Sequence, residues 1–138
     1  MSAELLHHFP GLDLVQFAAN AWLEPATAGV GAVTVRAVHR LLVLYPPPSD
    51  PEHFRSYYEG THLPLVAKLP GLRGYRYSVD IAAAEGASPY YCVFEADFDD
   101  AAALSSAMES PEGQAVLADV PNYATGGVVS LNYELRAA

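Results

Sequence analysis

Cysteine and positive charge are what this chain has least of. Cys92 is the one cysteine in 138 residues, so no intrachain disulfide can form and the cross-linked framework of a small secreted domain is absent. Only seven residues are Lys or Arg, against sixteen acids, for a formal net charge of −9. Those seven, Arg36, Arg40, Arg55, Lys68, Arg73, Arg76 and Arg136, are scattered rather than clustered. Nucleic acid and anionic membrane surfaces both need clustered cations, so neither is expected as a partner. No Lys or Arg precedes the first apolar residues, and Asp13, Glu24 and Pro25 interrupt any stretch that could serve as a signal core or membrane span. The expected location is therefore a reducing one, the cytoplasm.

Cofactor motifs are missing too. Gly29-Val-Gly31 lacks a third glycine, a strand before it and a helix after it, and no P-loop lysine is present. His7, His8, His39, His53 and His62 show no metal-ligand spacing. No metal or nucleotide cofactor is expected.

The length suits one domain with one core. Residues 1–35 carry no basic residue and contain a tract of small residues, Ala26 to Ala32. Leu14, Val15, Ala18 and Trp22 recur three or four apart, the spacing of a short amphipathic helix. We read 1–35 as an N-terminal appendage, a short helix or a disordered segment, and 36–138 as the folded domain.

From Val38 the pattern sharpens. Val38 to Tyr45 is an apolar run stopped by Pro46-Pro47-Pro48, as a strand buried on both faces reads. Asp50-Pro51-Glu52 supplies an N-cap carboxylate, a proline at the first helical position and an acid in the first turn. A helix is expected from Pro51 through Phe54, Tyr57, Tyr58 and Thr61, ending at Pro64. Leu72 to Ile81 alternates, with Tyr75, Tyr77, Val79 and Ile81 on one face, and Tyr90 to Phe98 is apolar on both faces in its first half. Asp99-Asp100 caps a second helix, Ser110-Pro111-Glu112 repeats the start signal for a further one to Asp119, and Pro121 ends it. Val128 to Leu135 alternates again. The order is β-α-β-β-α-β, the split arrangement of an α+β ferredoxin-like fold. Two helices cover one face of such a four-stranded antiparallel sheet, yet strands one and three read as apolar on both. A partner sheet is the natural cover, and burying several large side chains at roughly 1.5–3 kcal/mol each would hold a homodimer together.

His62 is the histidine with a chemical prospect. It lies one helical turn past Tyr58 and two past Phe54, on the flank that meets the sheet, where Pro64 disturbs the backbone. An imidazole in apolar surroundings suits general acid or base work; the alternative is a core histidine satisfied by a backbone carbonyl. Nine tyrosines on so small a scaffold offer apolar walls with directed hydroxyls. Tyr45, at the end of strand one, and Tyr75, in strand two, are placed by topology to approach the helix carrying His62. Tyr58 and Tyr77 join Tyr45 as candidate substrate-binding phenols. Cys92, in mid-strand, reads as a small buried hydrophobe rather than a nucleophile.

The runs Leu41 to Pro46, Phe54 to Leu65 (ending His-Leu-Pro-Leu) and Leu69-Pro-Gly-Leu-Arg-Gly-Tyr75 resemble the EthD family, named for ethyl tert-butyl ether degradation. Ser110-Pro-Glu-Gly113 and Pro121-Asn-Tyr-Ala-Thr-Gly-Gly127 are similar to it as well, and the likeness spans about Val38 to Leu135. The resemblance implies a dimeric α+β barrel with a pocket in each subunit between sheet and helices. In the related methylmuconolactone methylisomerase, active-site His and Tyr residues match His62 and Tyr75 by motif position. The expectation is thus a cofactor-independent enzyme moving a proton on a small aromatic, lactone or polyketide-like molecule, by isomerisation, dehydration or cyclisation. A non-catalytic binding protein of such a pathway is the alternative. Haem, bound by other dimeric α+β barrels, is disfavoured because no carboxylate is evident to orient a ligating histidine.

Overall fold

The computed structural model describes residues 37–136; the appendage expected over 1–35, with its helical stretch and His7-His8, lies outside them. The elements are β1 (Val38–Tyr45), α1 (Pro51–Tyr57), a π-helical turn (Tyr58–His62), α2 (Leu63–Val66), β2 (Gly74–Ser78), β3 (Cys92–Phe98), α3 (Ala101–Glu109), α4 (Pro111–Asp119), a 3-10 turn (Val120–Asn122) and β4 (Val129–Leu135). The strands form one sheet in the order β2-β3-β1-β4, every neighbouring pair antiparallel. This is the expected ferredoxin-like α+β fold.

Helix starts follow the capping chemistry. Asp50 accepts a hydrogen bond from the His53 N–H, Asp100 from Ala103 and Ser110 from Gly113, and prolines stand at the first turns of α1 and α4. Helix α1 does not stop at Pro64. The chain widens into a π turn, in which the Leu63 N–H reaches back to the Tyr58 carbonyl, and helix resumes through Val66. A proline in a regular helix removes one hydrogen bond and crowds the carbonyl four residues earlier; a wide turn just before it accommodates both effects.

The two faces of the sheet differ. Towards the helices, Leu41, Val43 and Tyr45 of β1 and Cys92, Phe94, Ala96 and Phe98 of β3 are buried. They meet Phe54, Tyr58, Leu104, Met108 and Tyr123, all at most 2% exposed. The strands read from sequence over 72–81 and 90–98 are shorter here because Ser78 and Ser88 turn the chain: their hydroxyls accept from the Asp80 and Tyr90 N–H groups. On the opposite face, Arg40 forms a two-pronged bond to Asp97 at 2.8 and 3.0 Å. Beside this charged corner runs an apolar strip. Cross-strand pairing aligns Leu42 with Leu131, Leu44 with Val129 and Val38 with Leu135, and Leu131, Tyr133 and Leu135 are 49%, 38% and 37% exposed. Of the β3 residues that share this face, Val93 is apolar and Glu95 and Asp97 are charged. The uncovered apolar surface therefore lies on β1 and β4, where the sequence had suggested β1 and β3.

Gly113, in the first turn of α4, packs against the end of α3. A Cβ there would run into the Ala107 carbonyl oxygen and the Met108 backbone, none of which can rotate aside. Gly113→Ala is expected to destabilise the protein by about 1–3 kcal/mol in chemical denaturation, the usual cost of overpacking. Gly60→Ala, with nothing within 4 Å of the added carbon, should be neutral or slightly stabilising.

Candidate functional site

Between β1, α1 and the α3–α4 layer the packing leaves a cavity of about 30 Å³. Its wall is aliphatic and aromatic, from Leu41 and Val43 on the sheet to Met108, Val116 and Val120 on the helices, and its polar members are His62, Tyr45 and Tyr58.

His62, in the π turn, is 2% exposed. Its Nδ1 lies 2.9 Å from Asp119 Oδ2. Asp119 ends α4 and is itself 8% exposed. Its other oxygen accepts from the Tyr57 hydroxyl at 2.6 Å and the Asn122 amide at 3.0 Å. Burial works to raise the Asp119 pKa, but these donors outweigh it and hold the carboxyl below the usual carboxylate range. For His62 burial prevails over the neighbouring carboxylate and lowers the pKa from 6.5. A carboxylate only accepts hydrogen bonds, so Nδ1 carries the proton. At neutral pH the ring is then uncharged and Nε2 holds the free lone pair, the form of a general base oriented from behind by an acid.

Around this pair stands a shell of phenols. Tyr58 stacks on His62 with centroids 5.4 Å apart, and Tyr123 lies 4.6 Å away. The Tyr45 and Tyr123 hydroxyls share a hydrogen bond of 2.8 Å. The Tyr58 hydroxyl is buried without a hydrogen-bond partner. Burial raises the pKa of all three, so each is a neutral potential donor. Cys92 is fully buried, its thiol pushed up to about 12 by burial, which makes it a packing residue rather than a nucleophile.

Of the residues singled out in the sequence, the cavity brings together His62, Tyr45 and Tyr58. Tyr75 and Tyr77 stand outside its lining on edge strand β2, 36% and 37% exposed. Tyr75 stacks on Phe94 at 5.8 Å, and Tyr77 donates to Glu59 at 2.8 Å. Sequence reasoning missed Asp119 and Tyr123. Asp119 did leave a signal: an acid in the last turn of a helix opposes the helix dipole and needs a compensating partner. Its presence removes the ground on which haem was disfavoured, since a carboxylate does orient His62. Among the described residues no group of three or more His, Cys, Asp or Glu could hold a metal ion, and no helix is long and apolar enough to cross a membrane.

Residues 46–127 match the EthD domain. The chain belongs to the EthD family. It is 34% identical over 95 residues to an uncharacterized 11.0 kDa protein in the thcB-thcC intergenic region of Rhodococcus erythropolis, covering 68% of this chain and 91% of that one. The structure of an EthD family protein from Bacillus halodurans is 31% identical, with a TM-score of 0.68, covering 72% of this chain and 99% of that one. More distant neighbours share the fold alone. One is a hydroxynitrile lyase from Passiflora edulis, 16% identical with a TM-score of 0.59, covering 75% of this chain and 96% of that one; others of ferredoxin-like fold are dimeric. The match with the EthD family contains His62, Asp119, Tyr57, Tyr58 and Tyr123, while Tyr45 lies one residue before it.

Proposed function

We propose that this EthD protein is an enzyme that moves a proton on a small hydrophobic organic molecule, needs no cofactor to do so, and works as a homodimer. The observation that carries the reading is the buried His62–Asp119 pair at 2.9 Å in an apolar wall. A structural histidine needs only a backbone carbonyl. Burying a carboxylate behind the ring, and two further donors around that carboxylate, is costly unless the ring's charge and tautomer matter. The lyase neighbour supports the reading only in that a protein of the same fold is an enzyme. Pairing of two copies is supported by the uncovered strip on β1 and β4 and by the dimeric neighbours.

The test is deuterium uptake. Small ketones and lactones held in deuterated buffer should exchange the hydrogens next to their carbonyl faster with the protein than without it. His62→Gln should lower the protein-dependent rate by roughly 10²–10⁴-fold, the usual contribution of a positioned acid or base, while the fold is kept because Gln suits a helix. The rate should also be level at neutral pH and fall as the pH drops below 6.5, because His62 titrates below that value. Stability moves in the same direction. The unfolded state takes up a proton on His62 at higher pH than the folded state does, so acidification through this range favours unfolding. Tight binding of the same compounds with no exchange would favour the non-catalytic binding protein.

A further inference from the structure

The lining of the cavity bears on what could enter it, on the reading that His62 acts there as a base. No Lys or Arg is among the lining residues, and the Asp119 carboxylate stands behind the imidazole. An anion placed there would lose its hydration, find no cation, and face a negative charge. Moving an ionised carboxylate into such a site is among the most expensive of transfers. The wall also holds one unmet demand. Tyr58 lines the cavity, is 0% exposed, and its hydroxyl has no partner. Its polar neighbours, the Tyr45 phenol and the Cys92 thiol, are close enough to raise its pKa but neither meets the hydroxyl in hydrogen-bonding geometry. Native interiors leave few such groups unpaired. Tyr45 and Tyr123, beside it, satisfy each other. A ligand oxygen is what would complete Tyr58.

We propose that the cavity receives a small uncharged molecule carrying a carbonyl oxygen, that Tyr58 donates a hydrogen bond to this oxygen, and that the wall rejects carboxylates. In a proton transfer next to the carbonyl, His62 Nε2 takes the proton from carbon and the electron pair moves onto the oxygen held by Tyr58, giving an enol or enolate that reverses on reprotonation. Tyr58 then serves both affinity and stabilisation of the developing charge.

Three molecules of nearly the same planar shape separate these features: acetone, isobutene, which lacks the oxygen, and acetate, which adds the charge. Each is titrated into the full chain, followed by NMR signals of the His62 and Tyr58 rings. Acetone should bind about tenfold better than isobutene, the worth of one ordinary hydrogen bond, and acetate should show no binding where acetone saturates. Tyr58→Phe should bring acetone down to the level of isobutene and leave isobutene unchanged. It should also melt no lower than the parent, since it removes a hydroxyl that is unpaired without ligand. Acetate binding as well as acetone, an acetone preference that survives Tyr58→Phe, or no binding of acetone would each overturn the proposal. Acetone that binds as expected but exchanges no deuterium would instead count against His62 as the base and leave the ligand class standing.

Discussion

Asp119→Asn is expected to lower proton transfer at His62 by roughly 10²–10⁴-fold, close to the loss from removing the imidazole itself, in a protein that stays folded. The reason is the tautomer. The Tyr57 hydroxyl and the Asn122 amide both donate to Asp119 Oδ1, at 2.6 and 3.0 Å. An asparagine must keep its oxygen on that side, which turns its NH₂ towards His62. The imidazole can then accept at Nδ1 only by carrying its hydrogen on Nε2, and the basic atom is lost from the working position. Substitutions of this kind behind a catalytic histidine cost up to about 10⁴ in rate with geometry intact. Raising the pH should not restore the rate, because the ring is already neutral. If Asp119 served only to anchor the end of α4, the asparagine variant would lose stability and keep its exchange rate. Measuring melting temperature and deuterium uptake on one preparation separates the two outcomes.

The second large effect concerns the open face of the sheet. Leu131, 49% exposed, sits opposite Leu42 in the middle of the strip across β1 and β4. Leu131→Arg should convert the protein from dimer to monomer in light scattering at micromolar concentration. A two-fold contact places the new charge in the interface twice, and each copy loses an apolar side chain worth about 1.5–3 kcal/mol when buried. Leu131 lies on the sheet face away from the cavity, so the variant chain should keep its secondary structure. A parent protein that is monomeric and fully folded would leave the strip without a role and count against a paired barrel.

The fold was largely readable because each boundary had local chemistry behind it. Asp50-Pro51-Glu52 and Ser110-Pro111-Glu112 start helices where carboxylate and hydroxyl caps are required, and the triple proline after Tyr45 closes β1. The continuation past Pro64 was not readable, because a proline's effect depends on whether the turn before it can widen, a property of packing against the sheet. The candidate site was half readable. His62, Tyr45 and Tyr58 carry side chains whose chemistry draws notice in any sequence. Asp119 lies 57 positions from His62, and only the folding of α4 onto the π turn brings the two together. Tyr75 was singled out by topology and by family position; it stands on the edge strand, 36% exposed and stacked on Phe94, and that openness is not written in the strand's own alternation.

The widened turn also sets the phase of the helix on either side of it. An ordinary α-helix overshoots a full circle by about 40° every four residues, so a row of residues spaced by four drifts by about 120° over three such steps. Phe54, Tyr58, His62 and Val66 form that row, and all four are buried, none more than 2% exposed. The π turn takes up the drift halfway along. It works as a vernier, keeping an aromatic anchor, a phenol, an imidazole and an aliphatic plug in one line facing the same wall, where a uniform helix would have swung the last of them towards water.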